Sequence, residues 1–216
     1  MIVVIVNLKE HIKELQQESD MPEELAAKID QANQELEESG TVNGLSQGEE
    51  APDFTLFNAV ENEITLSQEL ENGPVVVVFY RGAWCPYCNL QLNAYQQMLP
   101  EIHDLGAELI AISPQAPTDT LSLQEKEDLS FQLLSDLKGE VAADYNVLFE
   151  VPTVIKEIYQ ELGLDIAEYN AVDEWILPVP AVFVIDEQGM IRFADANADY
   201  TTRTEPQEIV DALEQL

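Results

Sequence analysis

Cys85 and Cys88 are the chain's only two cysteines, three apart in Trp84-Cys85-Pro86-Tyr87-Cys88. A pair at that spacing has three uses: two inert core thiols, half of a metal site, or a dithiol that cycles through a disulfide. A structural zinc site needs four ligands, and His11 and His103, the only histidines, lie in distant segments. Neither a metal nor a cofactor is expected. The neighbourhood favours redox chemistry. Val75–Tyr80 is a continuous β-branched and aromatic run, as in a strand buried on both faces, and a helix through Leu90–Met98 follows the pair. At a helix N-terminus, unpaired N–H groups and the positive dipole end stabilise a thiolate, drawing a thiol pKa from about 8.5 toward neutrality. The second thiol, one turn on, can then close an internal disulfide and spare the first from over-oxidation.

Charge sharpens this picture. The 216 residues carry 42 Asp and Glu against 9 Lys and Arg, formally -33, with 46% apolar residues to build a core. Such a surface repels phosphate backbones and anionic lipid, so nucleic acid and membrane surfaces are excluded as partners. The same field disfavours a thiolate, which therefore needs local positive charge. The chain has just three arginines, Arg81, Arg192 and Arg203, and Arg81 adjoins the cysteine loop. Arg192 reads as half of a surface ion pair. Trp84 and Tyr87 are expected to wall the site, and Trp175 and His103 to be structural.

The elements that must hold these residues fall into two parts. Leu8, Ile12 and Leu15, then Leu25, Ile29, Ala32 and Leu36 after Pro22, recur at helical spacing, and Ser39-Gly40 ends the pattern. Residues 1–46 are thus expected as an N-terminal helical hairpin, with His11 on its surface. Met1–Val6 reads as a short strand or frayed start; without a basic leader or small-residue cleavage site it fails as a signal peptide. No run has the length of a membrane span, and with two cysteines there is no disulfide framework, so a cytoplasmic protein is expected. Residues 47–216 alternate strand and helix. Glu108–Ser113 and Phe131–Leu134 read as strands, with helices near Leu121–Leu129, Gly139–Tyr145 and Pro152–Leu162. An extra segment runs on to about Leu177. Ala181–Asp186 and Met190–Ala194 form a hairpin around Glu187-Gln188-Gly189, before a last helix from Pro206. The expected fold is α/β, a mixed central sheet flanked by helices.

The run Phe79-Tyr80-Arg81-Gly82-Ala83-Trp84-Cys85-Pro86-Tyr87-Cys88 resembles the active-site segment of thioredoxin-fold redoxins. It is most similar to the peroxiredoxin-like branch of the alkyl hydroperoxide reductase and thiol-specific antioxidant family. Ala51-Pro52-Asp53-Phe54-Thr55-Leu56, Ile112-Ser113-Pro114, Leu134-Ser135-Asp136 and Val184-Ile185-Asp186-Glu187-Gln188-Gly189 resemble further segments of it, in order, as does the helical preface. The resemblance implies a thioredoxin-like fold over residues 47–216. It also places Arg203, just before the last helix, at the active-site arginine that stabilises the thiolate and binds peroxide oxygens. The departures are specific. Aligned on Phe79-Tyr80, the family's Pro-x-x-x-Thr-x-x-Cys becomes Arg81, Cys85 and Cys88, and its following Glu becomes Gln91. Pro180, before a strand, stands where thioredoxins carry a cis-proline facing their cysteine pair.

The resemblance implies a thiol-dependent peroxidase. A thiolate attacks the distal oxygen of a hydroperoxide, the sulfenic acid condenses with the other cysteine, and a thioredoxin-type dithiol reduces the disulfide. The resolving thiol comes from within the motif, from a second chain in a homodimer, or from the reductant. Family alignment favours Cys88 as attacker, while helix-terminus exposure favours Cys85; both count as catalytic, with Arg203, while Arg81, Trp84, Pro86, Tyr87 and Pro180 bind or shape. Two alternatives stand beside it. Cys85 at the threonine position and Pro180 suit a thioredoxin-like dithiol–disulfide oxidoreductase acting on proteins, and the helical preface suits a redox-sensing binding module.

Overall fold

The structure is a computed structural model that describes residues 7–18, 21–170, 172 and 174–216; Met1–Val6, with its expected strand or frayed start, lies outside the described residues. Two helices come first, α1 (Leu8–Gln17) and α2 (Glu23–Ser39). The Asn7 side chain caps α1 by accepting from the Glu10 N–H, and Pro22, with its preset φ, leads into α2. Gly40 stops α2 in the left-handed conformation at φ 64°, a position a side chain would strain.

Strands and helices then alternate. In order they are β1 (Thr55–Asn58), β2 (Glu63–Thr65), α3 (Leu66–Glu69), β3 (Val75–Phe79), α4 (Pro86–Asp104), β4 (Glu108–Ser113) and α5 (Pro117–Lys126). Next come β5 (Gln132–Ser135), α6 (Glu140–Asp144), β6 (Leu148–Glu150), α7 (Thr153–Glu161), α8 (Ile166–Asn170) and β7 (Ile176–Pro178). The hairpin β8 (Ala181–Ile185) and β9 (Ile191–Ala196) precedes α9 (Pro206–Leu213). Seven strands make one mixed sheet ordered β2-β1-β5-β4-β3-β8-β9. The pairs β3–β4 and β4–β5 are parallel; the others are antiparallel. This is the thioredoxin-like α/β arrangement expected from the sequence, with helices on both faces.

The all-apolar β3 lies inside that sheet, between β4 and β8, and its alternation divides the core. Val76, Val78 and Tyr80 face one layer with Leu92, Tyr95, Leu99 and Ile102 of α4 and Ile209, Val210 and Leu213 of α9. Val75, Val77 and Phe79 face the other, against Leu66, Val141, Ala142 and Tyr145. The cysteines belong to the first layer. α4 exceeds the predicted Leu90–Met98 in both directions because Pro86 starts it at the first helical position and Pro100 is accommodated inside it.

The extra segment becomes an excursion from the sheet. β6 and β7 pair antiparallel as a separate ribbon, and α7 and α8 lie between them in sequence. The N-terminal helices dock on the body at two places. Leu8 and Ile12 of α1 pack on Ala94 of α4, with Tyr87 and Leu90 beside them. The Leu8 and Lys9 N–H groups also donate to the Glu205 carboxylate, at 3.1 and 2.7 Å. Ile29 and Ala32 of α2 pack against Ile155, Ile158 and Tyr159 of α7. Among the described residues no helix is long and apolar enough to cross a membrane.

Candidate active site

The cysteine loop leaves the end of β3 and turns into α4, with Cys85 as N-cap and Pro86 at the first helical position. The turn depends on Gly82: its φ of 147° is rarely open to side chains, and an added Cβ would lie 2.5 Å from Trp84 Nε1. The Cys85 N–H closes the turn on the Gly82 carbonyl at 3.1 Å. Gln115, just past β4, accepts from the Ala83 N–H at 2.7 Å and donates to the Tyr80 hydroxyl at 3.2 Å. The loop is thereby tied to the neighbouring strand before any chemistry is asked of it.

Around Cys88 the site is a buried polar network. Cys88 is fully buried and Arg203 only 2% exposed. Arg203 donates to Cys88 Sγ from Nη1 at 3.6 Å and Nη2 at 3.5 Å, and Nη2 also reaches Cys85 Sγ at 3.9 Å. The guanidinium is oriented by the Gln91 side-chain oxygen at 2.6 Å and the Tyr200 carbonyl at 2.7 Å. Gln91 in turn donates to the Tyr95 hydroxyl at 2.8 Å, which donates to the Thr204 carbonyl at 2.9 Å. A further donor, the Arg81 backbone N–H, lies 3.5 Å from Cys88 Sγ.

These contacts divide the two thiols. Burial alone would push the Cys88 thiol up, but the Cys85 S–H, the Arg203 charge and the Arg81 N–H outweigh it and hold Cys88 well below the usual thiol range. Burial pushes the Cys85 thiol well above that range, and its hydrogen bond to Cys88 and the Cys88 charge add to the effect. Helix-terminus exposure, the argument for Cys85 as nucleophile, is not met: Cys85 is only 2% exposed. The positive charge beside the thiolate comes from an arginine three residues before α9, with the Arg81 backbone N–H beside it.

Around Cys85 the site opens. A cavity of about 370 Å³ is lined by Cys85, Arg81, Trp84, Pro86, Tyr87, Tyr159 and Tyr200, and further out by the end of α1, Met21 and Ile29. Arg81 donates from Nη2 to the Tyr159 hydroxyl at 2.7 Å. Its guanidinium carbon lies 4.8 Å from the Tyr200 ring centre, 5.3 Å from Trp84 and 5.8 Å from Tyr159. A larger hollow, about 860 Å³, between the β8–β9 turn and α9 is lined by Asp186, Glu187, Glu208 and Asp211 and has no thiol in its wall.

The structure thus brings Cys85, Cys88, Arg203, Arg81, Trp84, Pro86 and Tyr87 together. Pro180 departs from expectation. No peptide bond among the described residues is cis, and Pro180 is absent from the cavity wall; its carbonyl accepts from the Asn197 N–H at 3.0 Å, holding the start of β8 to the end of β9. Arg192 pairs with Asp186, His103 with Glu108, and Lys156 lies 4.7 Å over the Trp175 ring, all away from the thiols. Gln91 was visible as a departure from the family pattern, though not as the partner of Arg203. Tyr159 and Gln115 carried no signal, since neither has a motif and each acts on a loop distant in sequence.

A dithiol at a strand–helix turn, one thiol clamped by a buried arginine, on a thioredoxin-type sheet, defines a thiol redoxin. The AhpC/TSA family profile matches residues 47–194, more than half of the chain, and the protein belongs to that family. It is 37% identical over 106 residues to a putative Bcp peroxiredoxin of Haemophilus influenzae, covering 49% of this chain and 68% of that one. A putative peroxiredoxin of Mycobacterium tuberculosis is 28% identical over 157 residues, 73% of this chain and 88% of the relative. Among solved structures, peroxidoxin BcpB of Mycobacterium tuberculosis superposes with a TM-score of 0.63 at 21% identity, covering 80% of this chain and 98% of its own. Peroxiredoxin 6 of Arenicola marina gives 0.64 at 17%, covering 79% and 73%. These two share the fold. The protein is a thiol-dependent peroxidase, and its family implies a peroxide substrate and a thioredoxin-type reductant.

Proposed function

We propose that Cys88 is the attacking thiol and Cys85 the resolving one within a single chain. The observation that carries this is the Arg203 clamp on Cys88, which favours the thiolate there while burial keeps Cys85 protonated. The Cys88 thiolate attacks the distal oxygen of the hydroperoxide; the O–O bond breaks, and the alkoxide leaves with the proton of Cys85 as an alcohol, or as water from hydrogen peroxide. Cys88 is then a sulfenic acid and Cys85 a thiolate. Cys85 attacks the Cys88 sulfur, hydroxide leaves, and the disulfide forms. A thioredoxin-type dithiol supplies the two electrons and the protons that restore the pair.

In this reading Arg203 is catalytic, stabilising the thiolate and the departing oxygen. Arg81, Trp84, Pro86 and Tyr87 shape the entrance, and Pro180 supports the sheet end beside it. Residues 1–46 are an extension and 47–216 the redoxin domain, consistent with the span of the family match. We place the protein in the cytoplasm, where dithiol reductants operate. A homodimer is compatible with the cycle, which needs no cysteine from a second chain; sedimentation velocity decides the assembly.

Rapid mixing with hydrogen peroxide tests the assignment. Cys85→Ser is expected to consume one equivalent and accumulate sulfenic acid on Cys88, and Cys88→Ser to consume essentially none. Sulfenic acid forming only on Cys85 would reverse the roles.

A further inference from the structure

Arg203 and Arg81 are both buried beside the thiols, and among the described residues the one buried anionic group facing them is the Cys88 thiolate. Arg203 takes it through two nitrogens. Arg81 has no such counterpart. Among the described residues no carboxylate forms an ion pair with it, in a chain with 42 Asp and Glu. It is 4% exposed, and its Nε–H is buried without a hydrogen-bond partner. Three aromatic rings and one tyrosine hydroxyl surround the guanidinium, which offset its desolvation in part but supply no charge. A buried cation left in this state is a receptor for an anion.

The cavity beside it shows what kind of anion fits. Its outer wall is apolar, from Leu15, Met21, Ile29, Leu162 and Leu164, while Cys85 and the aromatic rings form the inner wall next to Arg81. Glu18 on the rim is exposed, so solvent screens its charge, whereas Arg81 acts from a dry wall. A small inorganic anion would leave the apolar wall unused, and a neutral molecule would leave Arg81 unpaired. We infer that this cavity binds organic hydroperoxides that carry a carboxylate, with Arg81 as the residue that selects them over neutral hydroperoxides of the same shape. The inference rests on the peroxidase reading for its substrate, but the binding it requires does not. Aligned on Phe79-Tyr80, Arg81 stands at the position where the typical family pattern has proline.

Matched probes test it: cumene hydroperoxide bearing a para-carboxylate, and the methyl ester of the same compound. The acid is expected to exceed the ester in kcat/KM by about tenfold, chiefly through KM, the size of one charge-assisted contact. Arg81→Gln should bring that ratio to about one whatever its overall rate, and Arg81→Lys should restore part of it. A ratio near one in the wild type, or the same ratio in Arg81→Gln, overturns the inference. Should Arg81→Gln fail to fold, calorimetric titration of the wild type with 4-isopropylbenzoate, which has no O–O bond, decides the matter. Saturable binding, absent with its methyl ester, supports the site; no binding overturns it. If the protein binds 4-isopropylbenzoate but consumes no peroxide, the carboxylate site stands and the peroxidase reading falls.

Discussion

The two cysteines are one helical turn apart, yet the protein builds opposite environments around them. Cys88 sits in a closed polar network, in which Arg203, Gln91, Tyr95 and Thr204 form a chain of direct, buried hydrogen bonds. Cys85 sits at the wall of a cavity, among rings and apolar side chains. A low dielectric strengthens whatever charge is near. At Cys88 the Cys85 S–H and a guanidinium within hydrogen-bond reach outweigh the cost of burial, and the thiolate is favoured. At Cys85 the same guanidinium is further off, and burial favours the protonated thiol. The difference between the two thiols therefore lies in which sulfur the arginine faces, and helix position alone does not decide it.

The largest effect on that contrast, after loss of Cys88 itself, is expected from Arg203→Gln. Removing two charge-assisted contacts, each worth about 1.5–3 kcal/mol, should slow peroxide reduction by at least about 100-fold. Its pH profile carries the sign. The Cys88 pKa in the folded protein is depressed, so the rate is full above it and is lost only as pH falls through that low value. In Arg203→Gln the fall should begin at higher pH, toward the ordinary thiol range. An unshifted acid limb in stopped-flow traces would mean that the Cys85 S–H and the Arg81 N–H set the Cys88 pKa by themselves.

A smaller effect is expected at the appendage. Leu8 is fully buried, and Leu8→Ala should cost about 2–5 kcal/mol of α1 docking. Faster amide exchange throughout α1, with hydrogen peroxide turnover within about threefold of wild type, would show that the Cys88 network does not need the appendage. The smallest effect belongs to the third arginine. Arg192 is about half exposed in its pair with Asp186, and Arg192→Gln should change stability by less than about 1 kcal/mol and leave peroxide turnover unaltered. A large loss of activity there would dissolve the distinction between the two site arginines and the surface one.

Legibility in the sequence follows the range of the interactions. β3, β4 and the β8–β9 hairpin were readable because a doubly buried strand needs a continuous apolar run and a tight turn needs its glycine. β2, β6 and β7 are three-residue strands at a sheet edge or in a ribbon, too short to show a period. The docking of α2 on α7 was equally hidden, since an apolar stripe says that a face is covered and leaves open by what. Pro180 is ambiguous in the sequence because a place before a strand suits a trans bond as well as a cis one.

By itself, the sequence determined the thiol pair, its place at a strand–helix turn, and the scarcity of cations that made the arginines conspicuous. These are properties of composition and of residues a few positions apart. That Arg203, 115 residues from Cys88, meets that sulfur through two nitrogens and Cys85 through one, at 3.9 Å, is a property of the folded chain. Folding also brought Tyr159, 78 residues from Arg81, over the guanidinium and, among the described residues, left that cation without a carboxylate. The order in which strands cross the sheet, and the α7–α8 excursion that meets the cysteine loop, set those distances. Neither leaves a periodic trace in the chain, because a contact between distant segments imposes shape and charge on a few side chains and no repeating pattern on the residues between them.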